Sequence, residues 1–177
     1  SDKLLKERSD IMGAGALGLM TMQNEFSTAR MREVWDDRNR LEKMTLVERT
    51  LAKVQGELGI IPQAVADEIV EKIRYDAIDM RKLYLEGAKA GHFTSGFVTY
   101  MSRFLGAEAS EYLHYGSTTQ DILDTSTVLQ LRDAHQIIIE NLTKIVCELA
   151  EKAEQFKAVV TVGRVHGQHA TPTTIGY

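Results

Sequence analysis

The segment Tyr112–Thr125 reads YLHYGSTTQDILDT, and here a polar loop passes into a long helix with a regular apolar pattern. The predicted helix entrance carries four consecutive hydroxyl or amide side chains, Ser117, Thr118, Thr119 and Gln120. A helix start exposes unpaired backbone N–H groups and the positive end of the helix dipole, so this entrance is suited to a carboxylate or phosphate. The alternative is a plain N-cap, with Thr118 or Thr119 as the cap and Asp121 in the first turn.

The helix predicted beyond this entrance dominates the chain and runs from about residue 118 to residue 157. At 1.5 Å per residue it would be roughly 60 Å long, about twice the diameter of a small domain. Its apolar positions recur three and four residues apart, as in a helical bundle. This seam comprises Val128, Leu131, His135, Ile138, Leu142, Ile145 and Leu149. Further apolar residues, including Ile137 and Val146, widen it, so we expect neighbouring helices, some of them from other subunits.

The rest of the sequence is also predicted to be helical, because no sustained period-two alternation with turn signals occurs. We therefore predict an all-α protein, in which an N-terminal helical domain (residues 28–115) is followed by the start of a long-helix bundle domain (residues 116–177). We expect the second domain to be truncated in this sequence. Residues 1–27 are predicted to be an N-terminal extension, in which residues 3–24 form a short helix and a glycine-softened stretch that is mobile unless it docks on a partner.

Capping signals place the ends of several helices. Ser27 or Thr28 can cap a helix that continues to the GIIP tract, and Pro62 can begin the next helix. Near the C-terminus, a loop reading AVVTVGRVHGQHA is predicted after the long helix. Thr171 and Pro172 are then predicted to be the N-cap and the first position of another helix.

Composition and charge exclude several classes of protein. The 177 residues carry a net charge of −4, and the 21 basic residues are dispersed along the chain, so nucleic acid and anionic membrane are not predicted as partners. The single cysteine, Cys147, lies on an apolar helix face and is predicted to be a small core residue in a reducing compartment. The apolar stretch at residues 11–22 is too short to span a membrane and follows acidic residues, so we predict a cytoplasmic protein.

Two histidines of the C-terminal loop are candidates for chemistry. His166 and His169 lie three residues apart, a spacing that metal sites also use. No cysteine or carboxylate stands nearby to complete a ligand set, so no metal site is predicted. His166, close to Arg164, is a candidate acid–base group because its pKa range suits proton transfer near neutrality. The alternative is a loop histidine that caps backbone groups.

The other histidines are less distinctive. His92 precedes Thr94 and Ser95 at a predicted helix start, where hydrogen bonding to the backbone explains it as well as catalysis does. His135 lies on the seam of the long helix and is interpreted as a packed core residue. His114 is left without an assignment.

Four stretches, in order along the chain, carry a family resemblance: AKVQGELGIIP, GHFTSGFV, HYGSTTQDILDT and GRVHGQHATPTTIG. They resemble the fumarase/aspartase superfamily, in the branch of adenylosuccinate lyase and carboxymuconate cycloisomerase, over about residues 28–177. The resemblance implies a homotetramer with each active site built from three subunits. It also implies a dicarboxylate substrate, reversible elimination that releases fumarate from a succinyl group, and no metal or organic cofactor.

The resemblance also implies roles for individual residues. His166 matches the family histidine that acts as general acid to the leaving nitrogen, and His92 matches a second active-site histidine. Thr118 and Thr119 match the pair that holds a substrate carboxylate, flanked here by Ser117 and Gln120. The catalytic serine of the family lies in an SSxMPxKxN loop that does not occur in these 177 residues, so the chain is predicted to be the N-terminal part of a lyase subunit.

Three departures from the family pattern bear on the substrate. Adenylosuccinate lyases usually carry Arg-Tyr where this chain has Phe26 and Ser27, and Asp where it has Phe93, which weakens the case for a nucleotide. Val165 replaces the usual Thr before the general-acid histidine. We predict elimination of a C–N bond from a succinyl-amine, with an isolated chain that is inactive. The alternatives are a carboxymuconate-type cycloisomerase, which the GSTTQD spelling favours, and a non-catalytic helical oligomerisation module.

Overall fold

The computed structural model describes residues 22–177, so most of the predicted N-terminal extension, including the short helix predicted within residues 3–24, lies outside the described residues. The described chain is mostly helical, as predicted, with one small two-stranded sheet. The helices are α1 (Gln23–Phe26), α2 (Ala29–Trp35), α3 (Asp37–Glu57), α4 (Gln63–Lys72), α5 (Met80–Ala90), α6 (Phe93–Ser102), α7 (Ala107–Tyr112) and α8 (Thr119–Phe156). A 3-10 turn at Tyr75–Ala77 lies between α4 and α5, and strands β1 (Val160–Val165) and β2 (Gln168–Thr174) follow α8.

The chain divides into two compact units, one ending at Asp133 and one formed by Ala134–Tyr177. The boundary falls inside α8, because the long helix begins in the first unit and ends in the second. The predicted division at residues 115 and 116 stays a prediction.

The single helix predicted to follow Ser27 or Thr28 is in fact two helices. Thr28 caps α2 as expected, with its Oγ1 accepting a 3.3 Å hydrogen bond from the Met31 N–H. The backbone of Asp36 is extended, and its side chain accepts a 2.7 Å hydrogen bond from the Asn39 N–H, so it caps α3. The break has a local cause, because a short acidic side chain that bonds backbone N–H groups favours a helix start over a helix interior.

The core of the first unit is formed by the packing of α3, α4, α6 and the start of α8. Its fully buried side chains include Met44, Ile69, Phe97, Met101 and Ile122. Helices α5 and α6 are joined by Gly91, whose φ of +65° is a left-handed conformation that suits glycine. This turn returns the chain so that α6 lies along α5, and it brings the first turns of α6 beside the entrance of α8.

The helix predicted to start at Thr171 and Pro172 is wrong. Both residues lie in β2, which pairs antiparallel with β1 in a hairpin that includes Val160 opposite Thr174 and Val165 opposite Gln168. The β-branched residues on both sides of a short turn favour a strand pair, and helical periodicity does not report this preference. Pro172 is tolerated because each strand of a two-stranded sheet has an unpaired edge.

The length of the long helix α8 confirms the prediction. The burial of its residues differs from the prediction that Cys147 and His135 are core residues. In its second-unit part the seam residues are largely exposed, including Ile138, Leu142, Ile145 and Leu149, the last 60 % exposed. Cys147 and His135 are exposed as well, so neither is a core residue within this chain. The reason is that the chain itself supplies too few helices to cover so long an apolar surface.

Candidate active site

The loop that leads into α8 is held in an unusual backbone conformation. His114 has a φ of +66° and Gly116 a φ of +70°, both in the left-handed region. For a residue with a Cβ this conformation is uncommon, and it persists only where surrounding contacts support it. The Ser117 hydroxyl donates a 3.2 Å hydrogen bond to the His114 carbonyl oxygen, which helps to close the turn.

Asp121 caps the start of α8. Its Oδ2 accepts a 2.8 Å hydrogen bond from the Thr118 N–H, and its own N–H donates a 3.1 Å bond to the Thr118 carbonyl. The first bond is one half of a capping box, in which a first-turn carboxylate reaches back to the N–H of the cap residue, and the second is a backbone bond at the helix start. Because Asp121 does the capping, the Thr118 hydroxyl is not required for it. The four predicted binding residues, Ser117 to Gln120, differ in their surroundings at this entrance.

Thr119 lines a cavity of about 260 Å³ between this entrance and the first turns of α6, which we call the helix-entrance cavity. Its walls are Thr94, Ser95, Val98, Thr99, His114 and Thr119. Of the other predicted residues, Thr118 is exposed, and the exposed Gln120 lies within hydrogen-bonding distance of Asp124 on the helix surface. The cavity is therefore rich in hydroxyl groups and contains one imidazole.

The Thr94 hydroxyl gives this cavity an unusual feature. Thr94 is only 1 % exposed, and its Oγ1 has no hydrogen-bond partner anywhere in the described chain. A buried hydroxyl without a partner costs free energy, so such a group is well placed to accept a ligand's hydrogen bond or donate one to it. From the sequence, Thr94 and Ser95 are predicted only to lie near a helix start, with no role in a site.

His92 occupies the N-cap position of α6 with an extended backbone, and its side chain is exposed. Its carbonyl oxygen accepts a 3.1 Å hydrogen bond from the Gly96 N–H, whereas its side chain makes no capping bond to the helix. The proposed backbone-bonding explanation therefore does not account for the imidazole. His92 is not part of the cavity wall.

A buried contact between a glutamate and a histidine next to the cavity was not predicted from the sequence. His114 Nδ1 lies 2.6 Å from Oε1 of Glu48, a residue of α3 that is 1 % exposed. The hydrogen bond to Glu48 raises the pKa of the His114 imidazole; burial works against that rise, and the charges of Glu48 and Asp121 add to it. A glutamate on the face of α3 that also carries Leu41 and Met44 was the available signal, because buried carboxylates are rare unless paired.

His166 lies in the second unit, at the turn of the β-hairpin. It has a φ of +47° and the following Gly167 a φ of +77°, so both central residues are left-handed, as a type I′ turn requires. The Arg164 guanidinium approaches the Gly167 carbonyl oxygen at 3.4 Å, and His169 pairs with Arg164 across the hairpin. The imidazole is exposed, whereas the loop predicted to join two helices is a strand-to-strand turn.

Two absences apply to residues 22–177 alone. None of the helices in that range is long and apolar enough to cross a membrane. Within the same range, no group of three or more His, Cys, Asp or Glu side chains is arranged to hold a metal ion.

Comparison with known proteins places these features in a family. A family model described as lyase matches residues 19–177. N-acetyl-S-(2-succino)cysteine lyase of Enterococcus italicus is 39 % identical over 166 residues, which is 94 % of this chain and 36 % of that protein. Adenylosuccinate lyase of Methanocaldococcus jannaschii is 38 % identical over 151 residues, 85 % of this chain and 33 % of its own length.

A comparison with solved structures leads to the same family. The crystal structure of 3-carboxy-cis,cis-muconate lactonizing enzyme from Pseudomonas putida superposes with a TM-score of 0.78 at 35 % identity, covering 85 % of this chain and 35 % of that one. The chain thus spans about a third of the length of the relatives that it matches. The chain belongs to the fumarase/aspartase superfamily of lyases, in the branch that contains adenylosuccinate lyase and carboxymuconate cycloisomerase.

Proposed function

We propose that this chain is the N-terminal part of a lyase subunit that catalyses reversible β-elimination of fumarate from a succinyl-amine substrate. The observation that carries the proposal is the helix-entrance cavity, where Thr119, the orphan Thr94 hydroxyl and His114 surround a space at the starts of two helices. Hydroxyl groups, an imidazole and helix-start N–H groups are the donors that a carboxylate needs. The similarity to enzymes named as succinyl-group lyases supports the same substrate class.

The chemistry assigns one task to each part of the site. When the β-proton leaves, the neighbouring carboxylate takes up a second negative charge, and donors at the α8 entrance stabilise that charge. We assign this to Thr118 and Thr119, with Ser117 and Gln120 beside them. His166 then protonates the departing nitrogen as general acid, and His92 is assigned as the second histidine of the site. The base that removes the proton lies outside these 177 residues in this proposal.

A second leaving group is favoured by one comparison. The name of the Enterococcus relative denotes a succinyl group carried on the sulfur of cysteine. The apolar Phe93 after His92 suits a leaving group that is smaller and less highly charged than a nucleotide. Elimination of a thiol is therefore the second candidate, and both reactions release fumarate. A thiol leaves more readily as an anion than an amine does, since its pKa is about 8.5, so it depends less on a general acid.

Two further alternatives lead to different products. A carboxymuconate-type cycloisomerase is supported by the superposition on the Pseudomonas enzyme. A non-catalytic helical module is supported only by the exposed apolar face of α8.

The exposed apolar face of α8 also bears on how subunits assemble. We propose that it packs against other subunits in a homotetramer, because Ile138, Leu142, Ile145 and Leu149 present a continuous apolar stripe to solvent. We further propose a cytoplasmic enzyme with a small dicarboxylate substrate and no cofactor, nucleic-acid partner or membrane partner. Sedimentation of the full-length subunit is expected to show a tetramer, and a stable monomer would contradict this assembly.

The test of function is a substrate panel on the full-length subunit. A succinyl-amine, S-(2-succino)cysteine and a carboxymuconate are each incubated with the enzyme, and fumarate is quantified by chromatography. Fumarate from the succinyl-amine supports the first candidate, and fumarate from the thioether alone supports the second. Conversion of the carboxymuconate without fumarate identifies a cycloisomerase. An intact tetramer that converts none of them supports the non-catalytic module.

A further inference from the structure

The buried Glu48 is a charged group that the proposed mechanism does not use. It lies on α3 with 1 % exposure, and its Oε2 has no partner in the described chain, while its Oε1 bonds His114 at 2.6 Å. A carboxylate is expensive to bury unless it is paired, and the partner of Glu48 in the described chain is His114. A leucine would serve better at this position if α3 only had to pack.

The same face of α3 holds the loop at a second point. Gln55, two turns further along α3, donates a 2.7 Å hydrogen bond from its Nε2 to the Tyr115 carbonyl oxygen. Glu48 and Gln55 therefore contact consecutive residues of the loop, one of which is the left-handed His114. Contacts of this kind are what a strained backbone needs in order to persist.

The ion pair also decides what His114 can offer to a ligand. With Glu48 ionised, Nδ1 of His114 must be the donor in their hydrogen bond, which leaves Nε2 as the nitrogen that is free for another partner. The charged groups near the imidazole are Glu48 on α3 and Asp121 on α8, and both are acidic. The imidazolium form is therefore stabilised, and in that form Nε2 carries a hydrogen and donates. The ring contributes to the wall of the helix-entrance cavity.

We propose that Glu48 is a positioning residue that holds His114 at the wall of the helix-entrance cavity, where the imidazole N–H binds a carboxylate of the substrate. This inference rests on the proposed function, because it assumes a dicarboxylate ligand in that cavity. Glu48 itself does not touch the ligand. It fixes the orientation of the ring and favours the charged form of the ring.

The test uses the full-length subunit and fumarate as the probe, with affinity measured by calorimetry over a range of pH. In the wild type, binding weakens as pH rises through the raised pKa of His114, because the donor loses its hydrogen. Glu48→Gln keeps an acceptor for Nδ1 and removes the charge. We expect it to weaken binding by about ten- to a hundredfold, as when a hydrogen bond to a charged group is lost, and to move the pH dependence to lower pH.

Three variants separate this role from a structural one. Glu48→Asp keeps the charge and should retain more affinity than Glu48→Gln. His114→Asn, whose side chain tolerates a left-handed backbone, should weaken binding as much as Glu48→Gln does, and the double variant should add little to either. The matched control is Glu68→Gln, since Glu68 accepts a 2.7 Å hydrogen bond from the Gly106 N–H away from the cavity.

The outcomes separate the two proposals. Equal, small losses in Glu48→Gln and Glu68→Gln, with an unchanged pH profile, would show that Glu48 is only structural. A wild type that does not bind fumarate would also overturn the inference. Fumarate binding with the expected pH shift, in an enzyme that converts no succinyl substrate, would support the role of Glu48 and reject the proposed function.

Discussion

Gly96 of α6 packs directly against the backbone of Gly87 of α5: a Cβ placed on Gly96 would lie 2.4 Å from the Gly87 Cα. Backbone atoms cannot move aside as the end of a flexible side chain can. The absence of a side chain at Gly96 therefore sets how closely the two helices approach. It also sets the position of Thr94 and Ser95, which directly precede it on α6 and line the helix-entrance cavity.

The first prediction concerns this contact. Gly96→Ala should lower the free energy of unfolding by about 1–3 kcal/mol, because the helices must separate to admit the methyl group. It should also weaken fumarate binding, since α6 carries part of the cavity wall. Denaturant titration measures the first effect and calorimetry the second. Gly87→Ala is the control: its Cβ would make only an ordinary 3.5 Å contact with Phe93, so it should be neutral or stabilising.

The second prediction separates carboxylate binding from capping at the start of α8. Changing both Thr118 and Thr119 to Val should weaken fumarate binding by about 3 kcal/mol or more, because two hydrogen bonds to a charged group are lost. Helix stability should change little, since Asp121 provides the capping bond to the Thr118 N–H. Thr127→Val, which removes a hydroxyl bonded to the Leu123 carbonyl on the same helix, is the control. Normal fumarate affinity in the double variant would remove the assignment, and a loss of about 1 kcal/mol in stability alone would favour the plain N-cap.

The third prediction is that His166 acts as general acid in the full-length enzyme. His166→Gln should lower kcat for a succinyl-amine by about a hundredfold or more, with a smaller effect on KM, because protonation of the leaving group matters only in the transition state. For a succinyl thioether the loss should be smaller. His169→Gln is the control, since His169 lies in β2 opposite Arg164. Steady-state kinetics that give equal, small losses for the two variants would leave the turn with a structural role only.

The fourth prediction is a pH dependence of stability that comes from His114. Its pKa is raised in the folded state, first by the hydrogen bond to Glu48. A group of this kind contributes stability that is fully present below its unfolded pKa of about 6.5 and is lost as pH rises through the higher folded value. The unfolding free energy should therefore fall over that interval. Denaturant titrations at a series of pH values measure this fall, which should be absent in His114→Asn; an identical pH profile in that variant would exclude the pair as its source.

Local sequence patterns determined most of the helices. The recurrence of apolar residues at steps of three and four predicted a long helix from about residue 118 to residue 157, and the structure places α8 at Thr119–Phe156. Similarly, Pro62 marks the start of α4 to within one residue. Such features depend on neighbours within a turn or two of the chain, so a sequence displays them directly.

Two local features were misjudged. Asp36 divides α2 from α3 through a side chain that bonds the next turn. Val34 and Leu41 on either side of it are seven residues apart, which is also the spacing of two turns of one continuous helix. The hairpin around His166 and Gly167 competes with helix signals at Thr171 and Pro172, and the β-branched residues on both strands decide the competition. At Asp36 the sequence is compatible with one helix or with two, and at Thr171 and Pro172 it is compatible with a helix or a strand. Contacts in the folded chain decide between them.

The sequence by itself determined the fold class, the long helix and the family, because periodicity, caps and four ordered motifs are local. Only the tertiary structure decided which polar side chains share a space. Glu48 and His114 are 66 residues apart, and Gln55 and Tyr115 are 60 residues apart, yet both pairs are in direct contact. No pattern along the chain encodes these pairs, because they arise when α3 packs beside the loop that precedes α8. The helix-entrance cavity has the same origin, since its walls come from α6, that loop and α8.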